Sequence, residues 1–439
     1  MRVVVVGTGH VGLLTAATLA TIGHDVVGVD SDEEKIDALR QGICPFFEPG
    51  LEELIEQTGR AGRLAFEVEQ ADAVKGADVI FICVGTPARA SGEASLLALE
   101  LAARGIAPAL TGPVVVVEKS TVPAGTADRL WQVLKVERPD LMDEIEVVSN
   151  PEFLREGQAV QDALHPDRIL VGARSPRGFE TMRRLFEPLI RDGSRLIETD
   201  IATAELAKHA CNAFLAMKIS YANALARLCE RAGADVTAVV DVLGSDPRIG
   251  RAFLDAGLGY GGYCFPKDLQ AFERLAARLG YDFPLLREVA RINDEAVGAA
   301  FDKIKDALWN LENKRIALLG LSFKPDTDDV RFSPALALAR RLLDAGATVA
   351  GYDPRAGANA KSELQGLEVA SSLDDAMRGS HCMVVCTDWD EFRSLDRPRA
   401  KELLASPIIV DARNLFEATE MRAEGFIYYG TGRASHSSA

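Results

Sequence analysis

Short apolar runs alternate with longer amphipathic segments over the first 195 or so residues of the chain. The runs are rich in β-branched residues, which is typical of strands buried on both faces of a sheet. Predicted strands cover residues 2–6, 25–29, 79–84, 114–118, 145–148 and 168–171. Since strands that alternate with helices pair in parallel, this part of the chain is predicted to be an α/β sheet.

The pattern changes after about residue 199, where helix-forming residues run from 202 to 230 without glycine or proline. This predicts one helix of about 30 residues, longer than most globular helices. Strand patterns return at 314–320, 347–353, 381–386 and 407–410, with a helix over 333–345. We therefore predict an α/β fold in which two Rossmann-like parallel-sheet lobes are joined by a helical domain. The predicted boundaries are 1–198, 199–310 and 311–430, followed by a small, polar, disordered tail over 431–439.

Composition and charge narrow the function classes. The net charge of −16 argues against a nucleic-acid partner, which normally meets a basic surface. We expect a cytoplasmic protein without a membrane segment, because neither a signal peptide nor a long enough apolar run is seen. The seven cysteines are scattered and odd in number, which favours reduced thiols over disulfides, and their spacing predicts no metal site.

A glycine-rich turn follows the first predicted strand. Gly7, Gly9 and Gly12 form a GxGxxG pattern that opens a helix, and Asp30 ends the second strand. Such glycines allow a tight turn and close approach of a pyrophosphate, while the acidic residue accepts the ribose hydroxyls. The pattern predicts an NAD site, with NAD favoured over NADP because a carboxylate repels a 2′-phosphate. Lys35 is a further candidate contact at the adenosine end.

Polar residues follow other strands of this region. Thr86 and Thr121 come after strands whose carboxyl ends lie at the ligand-binding edge, although each also suits a helix cap or a turn. Glu152 and Glu156 are four residues apart and would share a helical face. A carboxylate there either activates a water molecule or belongs to a solvated acidic face.

Cys264 lies in a glycine-rich segment, residues 259–262, and Pro266 follows closely. Proline suits the first helical position, so the thiol is predicted just ahead of a helix N-terminus, where the helix dipole favours a thiolate nucleophile. The glycines are interpreted as room for a bulky ligand. The alternative is a buried structural cysteine beside a turn.

Lys208 and Asn212 are also four residues apart, on the predicted long helix. Lysine in an otherwise apolar helix either extends to the surface or, when buried, stabilises an oxyanion. Residues 323–331 follow the first strand of the last lobe and provide two fixed cations, Lys324 and Arg331, suited to sugar hydroxyls or phosphates. The alternative is a run of solvated charges.

In this order, the segments GTGHVGL, VGTP, STVPAGT, NPEFLREG, ELAKHACNAFLA, GYGGYCFPKD, FKPDTDDVR, TDWDEF and DARN span nearly the whole chain. Together they resemble the UDP-glucose/GDP-mannose dehydrogenase family. The resemblance implies a four-electron oxidation of a nucleotide sugar, from the C6 alcohol to the acid, with two NAD reduced in succession. It implies that the first lobe binds NAD, the middle domain dimerises and the last lobe binds the UDP-sugar. The segment NPEFLREG with HPDRI favours UDP-glucose, and hence UDP-glucuronate as product, over GDP-mannose.

The resemblance also implies roles for individual residues. Cys264 would form a thiohemiacetal and then a thioester. Lys208, Asn212 and Asp268 would stabilise oxyanions and position a water molecule, and Glu152 with Thr121 would orient the hydrolytic water. The implied NAD contacts are Gly7, Gly9, His10, Val11, Gly12, Asp30, Lys35, Thr86, Thr121, Glu156, Lys267 and Arg331. The implied nucleotide-sugar contacts are Glu152, Phe153, Leu154, Arg155, Glu156, Lys208, Asn212, Arg248, Phe253, Leu254, Asp255, Ala256, Gly257, Gly261 and Lys324.

The resemblance further implies that Arg248 reaches a neighbouring subunit's site, which agrees with a homodimer formed through the long helix. The chain departs from the family pattern at His10, where many members have tyrosine, and before Leu96, where an aspartate is common. The alternatives are a dehydrogenase acting on GDP-mannose or a UDP-N-acetylhexosamine, a two-electron 3-hydroxyacid dehydrogenase, and a nucleotide-binding redox sensor without turnover.

Overall fold

A computed structural model describes residues 1–433 of the chain. The chain divides into two compact units, the first formed by Met1–Cys211 with Gln270–Gly280, and the second by Asn212–Leu269 with Tyr281 onwards. The last six residues of the predicted tail, 434–439, lie outside the described residues. The division into three domains at 198/199 and 310/311 stays a prediction.

Among the described residues, the first unit contains eight strands and nine complete α-helices. The strands are β1 (Arg2–Val6), β2 (Asp25–Val29), β3 (Leu64–Glu67), β4 (Val79–Ile82), β5 (Val114–Glu118), β6 (Ile145–Ser149), β7 (Arg168–Gly172) and β8 (Arg195–Thr199). The helices are α1 (His10–Thr21), α2 (Glu33–Arg40), α3 (Leu51–Arg60), α4 (Gln70–Ala73), α5 (Leu97–Ile106), α6 (Thr126–Glu137), α7 (Ala159–Leu164), α8 (Pro176–Leu185) and α9 (Glu187–Arg191). Short 3₁₀ turns occupy Ala107–Ala109 and Pro139–Leu141.

The strands of the first unit form one sheet in the order β3-β2-β1-β4-β5-β6-β7-β8. The pairs are parallel except for a single antiparallel bridge between Ser149 and Gly172, where β6 meets β7. The order reverses between β1 and β4, which is the point where doubly wound sheets bind ligands. This confirms the predicted Rossmann-like lobe. The sequence missed the short strand β3 and the charged strand β8, because edge strands bury little surface and lack an apolar run.

The valines of β1 show why this sheet forms. Val3 and Val5 pack into a hydrophobic cluster on one face, and Val4 and Val6 pack into a second cluster on the other. Helices cover both faces of a parallel sheet, so each side chain of such a strand is buried. The run of valines therefore specifies a central strand.

Four helices follow the first sheet: α10 (Ile201–Ala232), α11 (Val236–Ser245), α12 (Cys264–Arg278) and α13 (Pro284–Leu308). The long helix predicted from residues 202–230 is confirmed, one residue longer at its start and two at its end. The division between the two units falls within α10 and within α12.

The second unit has its own sheet, with strands β9 (Arg315–Leu319), β10 (Thr348–Tyr352), β11 (Glu368–Val369), β12 (Cys382–Val385), β13 (Ile408–Asp411) and β14 (Ile427–Gly430). All are parallel, in the order β11-β10-β9-β12-β13-β14. Its remaining helices are α14 (Pro334–Asp344), α15 (Gly357–Glu363), α16 (Leu373–Met377), α17 (Asp390–Arg393), α18 (Arg397–Leu403) and α19 (Ala418–Ala423). The order matches that of the first six strands of the other sheet, which confirms the second Rossmann-like lobe.

Two edge strands of this lobe, β11 and β14, were not predicted. The chain stays ordered beyond β14: Thr431 N donates to Asn414 Oδ1 at 2.9 Å and Gly432 N donates to Glu230 Oε1 at 2.7 Å. The predicted tail is therefore wrong for residues 431–433, whose backbone is held by these side chains. Within residues 1–433, no helix combines the length and apolarity needed to cross a bilayer.

Candidate active site

In the turn between β1 and α1, the backbone of Gly7 lies very close to the backbone of Gly12. A Cβ added to Gly12 would lie 1.8 Å from the carbonyl oxygen of Gly7, so this position tolerates no side chain. A Cβ added to Gly9 would meet no heavy atom within 4 Å, so the start of α1 is open in front of this residue. His10 and Val11 form the first turn of α1, and the His10 ring stacks on Phe46 with centroids 3.5 Å apart.

Asp30, directly after β2, is bonded into this turn. Its Oδ2 accepts from the Thr8 backbone N–H and hydroxyl, both at 2.9 Å, and from Lys35 Nζ at 2.8 Å. Burial by itself would raise the pKa of this carboxyl, but the bonds from Lys35 and Thr8 outweigh burial and leave the pKa of Asp30 lowered. An open, glycine-lined helix start beside an ionised carboxylate fits a dinucleotide with free ribose hydroxyls.

The loops after β4 and β5 are bonded to each other. The Thr86 hydroxyl donates to the Thr121 carbonyl at 3.0 Å, and the Ser120 hydroxyl donates to the Val84 carbonyl at 2.8 Å. Glu205 of α10 accepts from Gly125 N at 2.6 Å and from Ala127 N at 2.8 Å, which fixes the segment after Thr121. Sequence reasoning missed Glu205, because a glutamate on a helix carries no signal of a distant backbone partner.

Glu152 and Lys208 form a buried ion pair. Lys208 Nζ lies 3.0 Å from Glu152 Oε1, and the two side chains are only 4% and 7% exposed. The ring of Phe153 lies below the ammonium, 5.2 Å from Nζ, and also contacts the Arg168 guanidinium at 4.1 Å. The sequence alternatives of a solvated acidic face and of a lysine that extends to the surface are therefore wrong for these two residues.

A second polar group near the end of β5 was not predicted. Lys119 Nζ donates to Asn150 Oδ1 at 3.1 Å, and burial lowers the pKa of Lys119. The adjacent Glu118 is fully buried, and burial followed by the nearby Glu205 carboxylate raises its pKa well above the usual range. Glu118 ends β5 after four valines and Lys119 follows it directly, so the local sequence does not reveal the buried polar partners of these two residues.

The segment after Glu152 is anchored by acidic residues. Glu48, also missed, accepts from Gly157 N at 2.7 Å and from Ala159 N at 2.8 Å. Leu154 N donates to Glu152 Oε2 at 2.5 Å, and the exposed Arg155 side chain pairs with Asp162 at 2.6 Å. Glu156 is half-buried in the same segment. The backbone of this segment is therefore held in place on both sides of Arg155.

Cys264 is the first residue of α12 and is half-buried. The prediction had placed it ahead of a helix that begins at Pro266, and the helix instead begins two residues earlier. Proline is tolerated there because the first N–H groups of a helix have no intrahelical acceptor. The thiol still lies at the positive end of the helix dipole, which stabilises negative charge on sulfur.

Asp268 lies one turn after Cys264 and is fully buried. Its Oδ2 accepts from Asn212 Nδ2 at 2.6 Å, and its Oδ1 pairs with Lys267 Nζ at 2.7 Å. Lys267 and Arg331 contact the ring of Tyr263, at 5.5 Å and 4.5 Å from its centroid. Asp268 therefore joins Lys267 of α12 and Asn212 of α10 in one polar cluster near the start of α12, where Cys264 lies.

The glycines before Cys264 have protein neighbours. A Cβ on Gly261 would lie 2.4 Å from the Phe332 carbonyl oxygen, and one on Gly262 would lie 2.8 Å from the Phe323 ring. Packing within the chain therefore already requires glycine at these two positions, and their role as room for a ligand stays a prediction. Asn293, another residue missed, accepts from Tyr260 N at 2.7 Å and donates to the Tyr260 carbonyl at 3.1 Å, which fixes this loop.

The other predicted sugar-nucleotide residues lie in the second unit. Phe253 has a positive φ of 65°, rare for a bulky residue and found mostly where function requires a fixed geometry. Leu254 and Ala256 are buried, Asp255 pairs with Arg251 at 2.7 Å, and Gly257 N donates to Asn223 Oδ1 at 2.8 Å. Lys324 lies over Phe323 at 5.7 Å, and the Arg248 side chain, paired with Asp246, is 87% exposed.

Three family models match successive parts of the chain. They are the NAD binding domain, the central domain and the UDP binding domain of the UDP-glucose/GDP-mannose dehydrogenase family, over residues 1–190, 202–295 and 317–418. The match of the first confirms NAD as the predicted cofactor.

Known proteins match over almost the full length. UDP-glucose 6-dehydrogenase YwqF of Bacillus subtilis is 43% identical, with 99% of this chain and 98% of the relative covered. A UDP-glucose 6-dehydrogenase of Rhizobium meliloti is 44% identical, with 99% and 100% covered. The solved UDP-glucose dehydrogenase of Pyrobaculum islandicum is 35% identical and superposes with a TM-score of 0.91, with 98% of each chain covered. The chain belongs to the UDP-glucose/GDP-mannose dehydrogenase family.

Proposed function

We propose that this protein is an NAD-dependent UDP-glucose 6-dehydrogenase. It converts UDP-glucose, two NAD⁺ and water into UDP-glucuronate and two NADH, with release of protons. The observation that carries the proposal is the placement of Cys264 at the start of α12, one turn before a buried aspartate bonded to Asn212. A two-electron dehydrogenase needs no nucleophilic thiol, whereas oxidation of an aldehyde to an acid does.

The first oxidation requires removal of a proton from the C6 hydroxyl. Lys208 and Asn212 lie one turn apart on α10, and Asp268 is hydrogen-bonded to Asn212. We assign to these three groups the stabilisation of the developing alkoxide and the positioning of the water that takes the proton. NAD, when bound, accepts the hydride that leaves C6 in each of the two oxidations.

Cys264 then acts as the nucleophile. Its thiolate attacks the C6 aldehyde, a carbon–sulfur bond forms, and the carbonyl oxygen becomes the oxyanion of a thiohemiacetal. When C6 loses its second hydride, the carbonyl re-forms as a thioester. The ammonium of Lys208 and the amide of Asn212 stabilise the oxyanion in this step.

Hydrolysis of the thioester completes the cycle. Glu152 takes a proton from the attacking water as general base, and Thr121 orients that water. The carbon–sulfur bond breaks, the acid is released, and the thiolate is restored. The ion pair with Lys208 supports this role, since it holds the Glu152 carboxylate in one position.

The binding roles follow the same assignment. The glycine turn with His10, Val11, Asp30 and Lys35 would hold the adenosine and pyrophosphate of NAD, and Thr86, Thr121, Glu156, Lys267 and Arg331 would complete the NAD contacts. The segments 152–156 and 253–257, together with Lys208, Asn212, Arg248, Gly261 and Lys324, would hold the nucleotide sugar. The positive φ of Phe253 supports a fixed binding geometry in the second segment.

We propose that the protein is a homodimer paired through α10. Phe214, Tyr221 and Leu228 are 58%, 53% and 59% exposed and recur every seven residues, which places three large apolar side chains on one helix face. Such a self-complementary stripe suits two-fold pairing with a second copy. Sedimentation analysis of the Phe214→Glu/Tyr221→Glu variant should show a monomer, and an unchanged mass would contradict this interface.

We also propose a cytoplasmic location. All seven cysteines are free thiols, as expected in a reducing compartment. Fractionation of the source cells with an antibody to the chain tests this, and recovery outside the cytoplasm would contradict it.

Counting NADH per sugar tests the central proposal. With limiting UDP-glucose and excess NAD, two NADH should form per UDP-glucose. Formation of one NADH per UDP-glucose would refute the thioester route. If no NADH forms, the protein binds nucleotides without turnover. Parallel reactions with GDP-mannose, UDP-N-acetylglucosamine and UDP-N-acetylmannosamine should be much slower, and faster turnover of any of them would overturn the choice of substrate.

Two variants test the covalent step. Cys264→Ser should form no acid, whereas Cys44→Ser, which replaces another half-buried thiol, should keep full activity. Glu152→Gln should slow hydrolysis and let a covalent adduct accumulate on Cys264, visible by intact-mass spectrometry. Acid formation by the first variant, or absence of an adduct in the second, would count against these roles.

A further inference from the structure

A cavity of about 420 Å³ opens on the first unit, and none of the residues assigned above lines it. Its walls come from the loop before α5, the first turns of α5 and α6, and the C-terminal half of α12. Cavities of this size are in the range that holds small organic ligands.

Four arginines surround this cavity: Arg89, Arg129, Arg274 and Arg278. All four are exposed, and none forms an ion pair within the part of the chain that the structure describes. Elsewhere in the chain arginines commonly face carboxylates, as Arg397 faces Glu420 at 3.0 Å. Since the chain carries a net charge of −16, four uncompensated guanidinium groups around one opening form a local anion-attracting field.

Two carboxylates, Glu93 and Glu100, also line the opening, and they offset only part of this positive charge. Glu100 is occupied by Arg104, and Glu93 lies beside the Ser91 hydroxyl at 3.4 Å. The lining therefore keeps more positive than negative groups.

The floor of the cavity is apolar. Leu99, Leu130 and Leu275 line it and are 4%, 2% and 3% exposed, and Ala271 and Val133 complete it. At the rim, Leu97 is 58% exposed. An apolar floor below a ring of guanidinium groups is complementary to a molecule with a flat apolar body and a charged end.

We propose that this cavity is a binding site for a phosphate-bearing small molecule with a planar, apolar body, separate from the NAD and nucleotide-sugar sites. The guanidinium forks bind the phosphate oxygens in pairs and stack on the planar body. The leucine floor removes the apolar part from water.

Phenyl phosphate serves as the test ligand, because it combines both features in the smallest molecule. Its binding to the full-length protein is measured by isothermal titration calorimetry with saturating NAD and UDP, so that the other sites are filled. Wild-type protein should bind phenyl phosphate more tightly than inorganic phosphate or phenol, and the affinity should fall as salt rises.

The Arg274→Gln/Arg278→Gln variant should bind phenyl phosphate at least tenfold more weakly. Arg191→Gln, which removes an exposed arginine on α9, is the matched control and should bind as wild type does. Melting curves of all three proteins should coincide, since the changes lie on the surface.

Three results would overturn the proposal. The first is no binding of phenyl phosphate to wild-type protein, and the second is equal affinity in the double variant and the control. The third is a change in sedimentation mass on double substitution without any phenyl phosphate binding, which would make the arginines a protein-contact surface.

Discussion

Replacing Lys208 with methionine removes the positive partner of a buried ion pair while keeping a side chain of similar length. Glu152 Oε1 lies 3.0 Å from Lys208 Nζ, and solvent reaches only 4% and 7% of the lysine and glutamate side chains. The substitution therefore leaves a carboxylate buried without its cation. Changing Glu152 to glutamine as well replaces that carboxylate with a neutral amide.

The expected size follows from the separation. At an effective dielectric of about 20, two unit charges 3.0 Å apart attract each other by about 5.5 kcal/mol. Desolvation of both groups offsets much of that gain, so the pair itself adds little to stability. Removing only one partner is different, and Lys208→Met should lower the free energy of unfolding by about 3–5 kcal/mol. The double variant should recover most of this loss, because no uncompensated charge remains.

The assay is calorimetric melting of five proteins: wild type, the two single variants, the double variant and a control variant. For a unit of this size about 1 kcal/mol shifts the melting temperature by roughly 2–4 °C, so Lys208→Met should melt about 6–20 °C lower. The double variant should melt closer to wild type. Lys305→Met, at an exposed position on α13, is the control and should leave the melting temperature nearly unchanged. All variants that lack Lys208 should also lose oxidation of UDP-glucose.

Two outcomes would refute this reasoning. If the double variant melts at the sum of the two single losses, the side chains do not interact as a pair. If Lys208→Met melts with wild type, Glu152 tolerates burial without its cation.

Three further changes test the cofactor site and the buried carboxyl. With the proposed NAD contacts, Asp30→Ala would remove a charge-assisted bond to the ribose and free Lys35 for a phosphate. The variant should therefore raise the KM for NAD about tenfold or more in steady-state kinetics and narrow the preference for NAD over NADP. Gly12→Ala should abolish NADH binding in a fluorescence titration, because its Cβ would lie 1.8 Å from the Gly7 carbonyl oxygen. Burial raises the pKa of Glu118 well above its usual value of 4.5. The stability of the wild-type protein should therefore fall as the pH rises from the pKa of the unfolded chain to that of the folded protein. Glu118→Gln removes this titrating group and should flatten the pH dependence of stability. The melting temperature of the variant, relative to that of the wild type, should therefore increase as the pH rises from about 4.5 to 8.

Matched controls separate these effects from general damage. Asp37→Ala removes an exposed carboxylate on α2 and should keep the KM for NAD. Gly59→Ala lies on α3 with open space around its Cβ position and should keep NADH binding. An unchanged KM in Asp30→Ala, NADH binding by Gly12→Ala, or parallel pH curves for wild type and Glu118→Gln would each contradict the corresponding assignment.

Local sequence determined the elements that depend on local pattern. The valines of β1 form a central strand because parallel sheets bury both faces of a strand, and α10 forms because helix formers run from 202 to 230 without a break. The glycine turn after β1 and the acidic residue after β2 were also predicted from the sequence, since the backbone geometry of such a turn leaves little choice of residue. The short edge strands β3, β8, β11 and β14 were missed because solvent on one side removes the apolar run.

Long-range contacts decided the rest. Glu48, Glu205 and Asn293 hold the loops of the candidate site, but each is an ordinary residue in its own segment. The sequence predicted that the glycines before Cys264 leave room for a neighbouring group. Only the fold showed that the Phe332 carbonyl and the Phe323 ring lie beside Gly261 and Gly262. The sequence by itself determined the family and the cofactor, because these depend on residue type and spacing, and it supplied the reactive side chains that we propose. Tertiary structure alone decided which charges are buried together and where the four arginines meet, because those depend on residues distant in the chain.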